Sequence, residues 1–349
     1  MLSRFWITLF VLLLSFGACR SPKESQLKKS QSYTLAFYNV ENIFDTVDDP
    51  EKIDEDFTPE GRYKWTEDIL QKKLTNISKA IAGIGNGGPS MIGIAEIEHA
   101  DLVERLISQP ALASRNYAFV HEESPDMRGI DCAFIYDPAI FNLDSYRAYE
   151  MSFEEEPEYT SRKVLWVSGS INKQRVHLVV NHWPSRYGGM EKSEPRRMTV
   201  ANQVRAIIDS VQAAESNAAI ILMGDFNDDP FNRSIVEGIK AGKSWPLEKG
   251  MDFFNPMYPL HQVDSSGTLT YRGKWNLFDQ FLLSDDLLLG ENKLQYVANS
   301  VSIHRPEMMQ VGGDGPAKDM PRRAIYRGEF QDRGFSDHFP VYMELKVGK

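Results

Sequence analysis

Short apolar runs and helical stripes alternate along most of this chain, and their periods predict its elements. Tyr33–Val40 reads as a strand. Leu70, Leu74, Ile77, Ile81 and Ile84 recur at four- and three-residue steps, which predicts a helix from Thr66 to Gly83. Met91–Ala95 is a short apolar run that fits a buried strand, with a helix near Asp101–Ser108. Strands follow at Tyr117–His121, Asp131–Tyr136, Leu165–Ile171 and Val176–Asn181. A second long helix fits Met198–Ala214, where Ala201, Val204, Ile207, Ile208 and Val211 share a face. Ala219–Met223, Thr268–Tyr271, Phe278–Leu283 and Val341–Leu345 complete the set. Many strands separated by a few helices predict a mixed α/β architecture, without internal repeats. Asp45–Lys64, Pro184–Arg197 and His304–Phe330 are long for connectors and are candidate site-bordering loops.

The N-terminus departs from this pattern. Arg4 precedes an apolar run from Phe5 to Phe16, then Gly17-Ala18-Cys19. The run is too short for a comfortable membrane span and fits an export signal. Small residues before a cysteine resemble a bacterial lipobox, so residues 1–19 are expected to be a lipoprotein-type signal with Cys19 the lipidation site. The alternative is an ordinary cleaved signal. Residues 20–32 read as a flexible tether and 33–349 as one catalytic-sized domain, held at a membrane by the lipid and exported to the periplasmic side or cell surface. With Cys19 lipidated only Cys132 remains, which rules out an intrachain disulfide.

Charge narrows the partners. The net charge is −10, and residues 1–32 carry five basic residues against one acidic, leaving −14 on residues 33–349. Such a body repels polyanions at long range, which disfavours tight non-specific nucleic-acid binding. It accepts a phosphate where metal ions stand between carboxylates and substrate.

The candidate chemistry sits where the strands end. These ends carry Asn39-Val40-Glu41, Ala95-Glu96, Asn181-His182, Gly224-Asp225-Phe226-Asn227, Asp279 and Ser336-Asp337-His338. Open α/β sheets bind ligands beside strand ends, so these groups are expected to converge on one crevice. Oxygen ligands suit Mg²⁺, with Mn²⁺ and Ca²⁺ as alternatives, and a histidine oriented by an aspartate can move a proton. There is neither a cysteine cluster nor a His-Glu-x-x-His motif to suggest a zinc site of the usual kinds. Taken alone, Gly-Asp-Phe-Asn is equally an Asx-type turn and Asp337 a turn cap. Glu98 and His99 read as surface residues.

In this order the motifs resemble the endonuclease/exonuclease/phosphatase superfamily (deoxyribonuclease I-like) over roughly residues 33–347. The resemblance implies a four-layer α/β/β/α sandwich with both sheets ending at one metal site. It implies Glu96 as the principal metal carboxylate, with Asn39 and Glu41 beside it and Asp337 contributing. It also implies that Asp225 orients or deprotonates the attacking water, Asn227 holds the phosphate or a second metal, Asp279 pairs with His338, and His182 is the extra histidine of the deoxyribonuclease I type. Arg186, Arg196 and Arg197, with Arg128, are the candidate phosphate-binding arginines. The expected activity is an exported phosphodiesterase that cleaves DNA or RNA. The alternatives are a phosphatase or sphingomyelinase-like enzyme acting on inositol phosphates or lipid headgroups, and a non-catalytic surface binding protein. No obligate protein partner is expected.

Overall fold

Two seven-stranded sheets lie face to face. The computed structural model describes residues 32–262, 266–288 and 293–348; the signal and Cys19 lie outside them, as does nearly all of the tether. The first sheet runs Leu294–Tyr296, Val341–Val347, Ser32–Ile43, Met91–Ile97, Asp131–Tyr136, Ala118–His121, with Ser302–Ile303 also pairing with Val341–Val347. The second runs Phe141–Tyr149, Val164–Ile171, Gln174–His182, Ile220–Asp225, Asp279–Ser284, Phe253–Phe254, Ala241–Gly242. Side chains alternate across each strand, so both sheets bury two faces. Leu35, Phe37, Phe134, Leu178, Val180, Ile221, Met223 and Phe281 fill the space between the sheets. Helices Glu67–Ala82 and Ala100–Ile107 cover the outer face of the first sheet through Leu70, Leu74, Ile77 and Leu106 against Ala36, Tyr38, Ile92 and Ile94. Helix Met190–Ala214 covers the second through Val200, Ala201, Val204 and Ile208 against Val179, Ile220 and Leu222. The architecture is the four-layer α/β/β/α sandwich expected from the motif order.

Near the middle of each sheet is one parallel pair joined by a helical crossover. Ser32–Ile43 runs parallel to Met91–Ile97 across helix Glu67–Ala82, and Gln174–His182 parallel to Ile220–Asp225 across helix Met190–Ala214. A crossover forces both strands of a pair to end at the same edge of the sheet. Glu96 closes one pair, and His182 and Asp225 the other, with His182 opposite Asp225 in register. Topology alone therefore gathers the motifs on one rim.

The rim is locally irregular. Pairing between the first two strands shifts between Asn39 and Ile43, and pairing of Met91–Ile97 with Asp131–Tyr136 shifts between Ala95 and Ile97. Glu41, Asn42 and Glu96 in these shifts have φ of 51°, 56° and 69°. Bulges of this kind re-aim side chains, and left-handed backbone at non-glycine residues is strain that the surrounding packing must hold. Gly224 has a different task. A Cβ there would meet the Asn181 carbonyl oxygen at 2.2 Å, so glycine lets the strands carrying His182 and Asp225 pair closely.

Three features depart from the expectation. Strand Phe141–Tyr149 was not anticipated, because it is a largely exposed edge strand and its register shift between Leu143 and Ser145 breaks the period-two alternation. The long helix begins at Met190 rather than Met198, with Pro195 inside it. Glu98, expected at the surface, is buried and its Oε2 accepts the Asp45 N–H at 2.7 Å.

Candidate active site

Six side chains from both sheets meet at this rim. The Asn39 amide spans the sheets, donating to Glu96 Oε1 at 3.3 Å and Asp225 Oδ2 at 3.1 Å. Its Oδ1 accepts the Glu41 N–H at 3.0 Å. The second Glu96 oxygen accepts the Asn42 N–H at 3.1 Å, so the bulge that tilts Glu96 also holds it. His182 Nε2 stands 3.7 Å from both Glu96 Oε1 and Asp225 Oδ2, and its buried Nδ1 has no hydrogen-bond partner. On the other side His338 Nε2 lies 3.8 Å from Asp225 Oδ2, while Nδ1 contacts Asp279 Oδ2 at 2.7 Å. Ser336 fixes this element: its hydroxyl donates to the Asn39 carbonyl at 2.7 Å and accepts the His338 N–H at 3.0 Å.

Burial and charge set the two imidazoles apart. Burial holds His182 well below the ordinary histidine range, with Arg162, Arg128 and His338 adding repulsion. Burial also disfavours charge on His338, but Asp279, Asp225 and Asp337 outweigh it and hold its pKa well above that range. Burial raises the Asp225 carboxyl to about 6, with the His338 charge pulling it down and Asp279 pushing it up. Glu96, Asp225 and Asp279 pair with no lysine or arginine among the described residues. Asp225, Asp279 and His338 form a group with ligand atoms within 4.8 Å of one another. Three carboxylates answered by one protonated imidazole, with the Asp279 Oδ1 and His182 Nδ1 atoms orphaned, fit a site that takes up further positive charge.

Other expected site residues stand differently. Glu41 does not share Glu96's position. Its Oε2 accepts the Ala324 N–H at 2.6 Å, and burial, with Asp337 behind it, pushes its carboxyl up to about 8 against the pull of Lys73. Asp337 faces this side too, its Oδ2 accepting from Arg323 Nη2 at 2.9 Å. Asn227 is tied beneath Asp225: its N–H donates to Asp225 Oδ1 at 2.9 Å and its amide to the Trp183 carbonyl at 3.0 Å, in a left-handed turn with φ 51°.

Three of the expected phosphate-binding arginines are engaged within the protein. Arg197 is fully buried and bound to Asp228 at 2.8 Å. Arg186 lies over the Phe278 ring and engages Asp228, Asp229, Asn232 and the Asn227 carbonyl. Arg196 pairs with Glu156 at the surface. Each guanidinium therefore answers a carboxylate of the protein itself. Arg128 stays half-exposed, 3.9 Å from Asp126, with its charge felt at His182.

Two residues escaped the sequence reading. Lys73 is fully buried, donates to the Phe335 carbonyl at 2.6 Å and supports Glu41 and Asp337. Its signal was a lysine three positions after Leu70, on the apolar stripe of its helix. Arg162, buried between Asp126 at 3.1 Å and the Trp183 carbonyl, carries no comparable signal.

These motifs and this fold coincide with a known family. A family model described as Endonuclease/Exonuclease/phosphatase family matches residues 34–347. The chain belongs to the endonuclease/exonuclease/phosphatase family. Members of this family are generally metal-dependent phosphoester hydrolases. Solved structures agree on the fold. A humanized D. rerio TDP2 superimposes with a TM-score of 0.55 at 13% identity, covering 90% of this chain and 99% of that one. A mannosyl-6-phosphatase from Bacteroides thetaiotaomicron gives 0.54 at 14% identity, over 90% and 99%. D. rerio TDP2 complexed with single-strand DNA product gives 0.54 at 12% identity, also over 90% and 99%. No curated protein matches by sequence.

Proposed function

We propose that this member of the endonuclease/exonuclease/phosphatase family is a divalent-metal-dependent phosphodiester hydrolase of the nuclease type. One observation carries the reading: two imidazoles held on opposite sides of neutrality flank a single carboxylate, at 3.7 and 3.8 Å. Asp225, ionised above about pH 6, accepts a proton from water as the water oxygen bonds to phosphorus. His338, kept protonated by Asp279, gives its proton to the departing ester oxygen as the phosphorus–oxygen bond breaks. Neutral His182 sits between Glu96 and Asp225 and orients the phosphoryl group. Glu96 would hold the ion, Mg²⁺ by its oxygen chemistry, with Mn²⁺ or Ca²⁺ as substitutes, and the Asn39 amide, donating to Glu96 and Asp225, would keep both carboxylates turned toward it. Bound there, it supplies charge that offsets the phosphate and the buried carboxylates.

A second reading, a phosphatase or phosphodiesterase for a phosphorylated small molecule or lipid headgroup, is favoured by the inward arginines and the charge of −14. A cavity of about 690 Å³ beside Asp337, lined by Arg322, Arg323 and Arg333, would suit such a substrate. The purified chain is tested on plasmid DNA, RNA and a panel of phosphate esters, with Mg²⁺, Mn²⁺ or Ca²⁺ and with chelator. Chelator-sensitive nicking supports the first reading and phosphate release without nicking the second; no hydrolysis with any of the three metals overturns both.

We also propose export and anchoring through Cys19. No helix among the described residues is long and apolar enough to cross a membrane, so attachment would rest on the N-terminus. Cys19→Ser should abolish labelling by a radioactive fatty acid and move the protein to the soluble fraction; unchanged labelling overturns the proposal.

A further inference from the structure

A separate concentration of unanswered donor atoms lies at the outer side of the first sheet. His121 ends strand Ala118–His121, Asp131 begins strand Asp131–Tyr136, and Glu123 stands on the connection between them. One ligand atom from each lies within 4.8 Å of the others. The His121 and Asp131 side chains are only 2% and 1% exposed and stand 3.5 Å apart. His121, 3.5 Å from Asp131 Oδ2, and Ser124 face the Asp131 carboxylate, but no well-formed hydrogen bond reaches the His121 Nε2 or either Asp131 oxygen. A buried carboxylate so weakly answered is costly unless a cation completes its partners. Glu123 is oriented from outside, with His99 Nδ1 3.0 Å from its Oε1, and His99 in turn lies 3.7 Å from buried Glu98.

We propose that His121, Glu123 and Asp131 form a divalent-cation site made of none of the crevice residues, and that it takes a borderline transition-metal ion such as Zn²⁺. An imidazole nitrogen with two carboxylates suits zinc better than Mg²⁺ or Ca²⁺, which favour all-oxygen shells. Zinc–ligand bonds of about 2.0–2.2 Å place two ligand atoms at most roughly 4.4 Å apart. The half-exposed Glu123 side chain can supply that contraction. His99 then serves as the outer partner that fixes a ligating carboxylate.

The location gives the ion a structural task. Asp131 is the register partner of Ile97, directly after Glu96, where the strand pairing shifts. A cation bridging His121, Asp131 and Glu123 would clamp the strand end from which Glu96 is presented. This inference does not depend on the proposed reaction.

The purified full chain is stripped with chelator, loaded with Zn²⁺ under excess Mg²⁺, desalted and analysed for metal. The wild type should retain one zinc equivalent more than Glu123→Gln or Asp131→Asn, with affinity at least tenfold weaker in either variant. Zinc should raise the Tm of the wild type and leave both variants unmoved. A double variant of the crevice, Asp225→Asn with His338→Ala, should keep this zinc. Glu123 is half-exposed, so its variant should fold even if Asp131→Asn does not. Equal zinc retention in Glu123→Gln and wild type, no retained zinc, or loss of zinc only in the crevice variant would each overturn the proposal.

Discussion

The carboxylates at the centre of the crevice and those around it are of the same residue types, and most are buried, yet they are partnered in opposite ways. In the surrounding layer each acid has a base. Asp228 meets Arg197 at 2.8 Å and Arg186 at 3.1 Å, Asp126 meets Arg162 at 3.1 Å, and Asp337 meets Arg323 at 2.9 Å. At the centre Glu96, Asp225 and Asp279 meet only an amide and two imidazoles. Acids paired with arginine hold loops in place, and the three central acids, sharing one protonated imidazole, await further charge from outside. The proposed chemistry belongs to the second group, and the precision of its placement to the first.

The sharpest way to break that comparison is to remove the proton donor from the centre. His338→Ala should lower turnover by about 10²–10⁴-fold, the range for losing a general acid, with circular dichroism unchanged. His182→Ala should fall in the same direction. Near wild-type activity in either variant would place the reaction elsewhere. The converse cut is Arg197→Met, in the paired layer. It strands part of the buried Asp228 charge and should cost about 3 kcal/mol by urea denaturation, with Arg186 and Ser234 limiting the loss. If that variant loses activity without losing stability, the distinction between the two layers fails.

Asp225→Asn tests the centre for stored charge. Burial holds the Asp225 carboxyl near 6 in the folded chain, above its ordinary value of 3.8. A raised carboxyl pKa means the fold binds that proton more tightly than the unfolded chain does. The resulting stabilisation is complete below about pH 4 and lost as pH rises through about 6. The asparagine variant should therefore gain on the order of 3 kcal/mol relative to wild type at pH 8 and little at pH 4, while losing turnover. A stability difference independent of pH would show that Asp225 carries no buried charge in the metal-free protein.

Most of the architecture was legible because hydrophobic period and motif order point the same way. Leu70–Ile84 specified a helix against a sheet, and Gly224-Asp225, Asn181-His182 and Asp279 fell at the ends of apolar runs that the parallel crossovers bring to one rim. Partner choice was not legible. Arg186 and Arg197 look like phosphate ligands in one dimension, and only folding sets Asp228 and Asp229 against them. Glu41 is similar: two residues from Asn39 it resembles a metal ligand, but the loop carrying Ala324 closes over it from 283 positions away. Contacts made at such separation leave no local periodicity to read. The edge strand Phe141–Tyr149 was lost for the opposite reason, a local bulge that erased a pattern otherwise present.

Arg196 offers the mildest test and the one that separates sequence proximity from function. It adjoins Arg197, lies over the Tyr159 ring and pairs with Glu156 at the surface, where its side chain is 27% exposed. Exposed pairs of this kind contribute at most about 1 kcal/mol, because solvent and side-chain entropy offset the attraction. Arg196→Ala should therefore lower stability by less than about 1 kcal/mol and leave kcat and KM unchanged, whichever phosphoester proves to be the substrate. A rise in KM of tenfold or more, without a change in kcat, would return Arg196 to the substrate surface. It would also show that a guanidinium paired with an acid of the protein can still release it for a phosphate, which the layered arrangement of charges argues against.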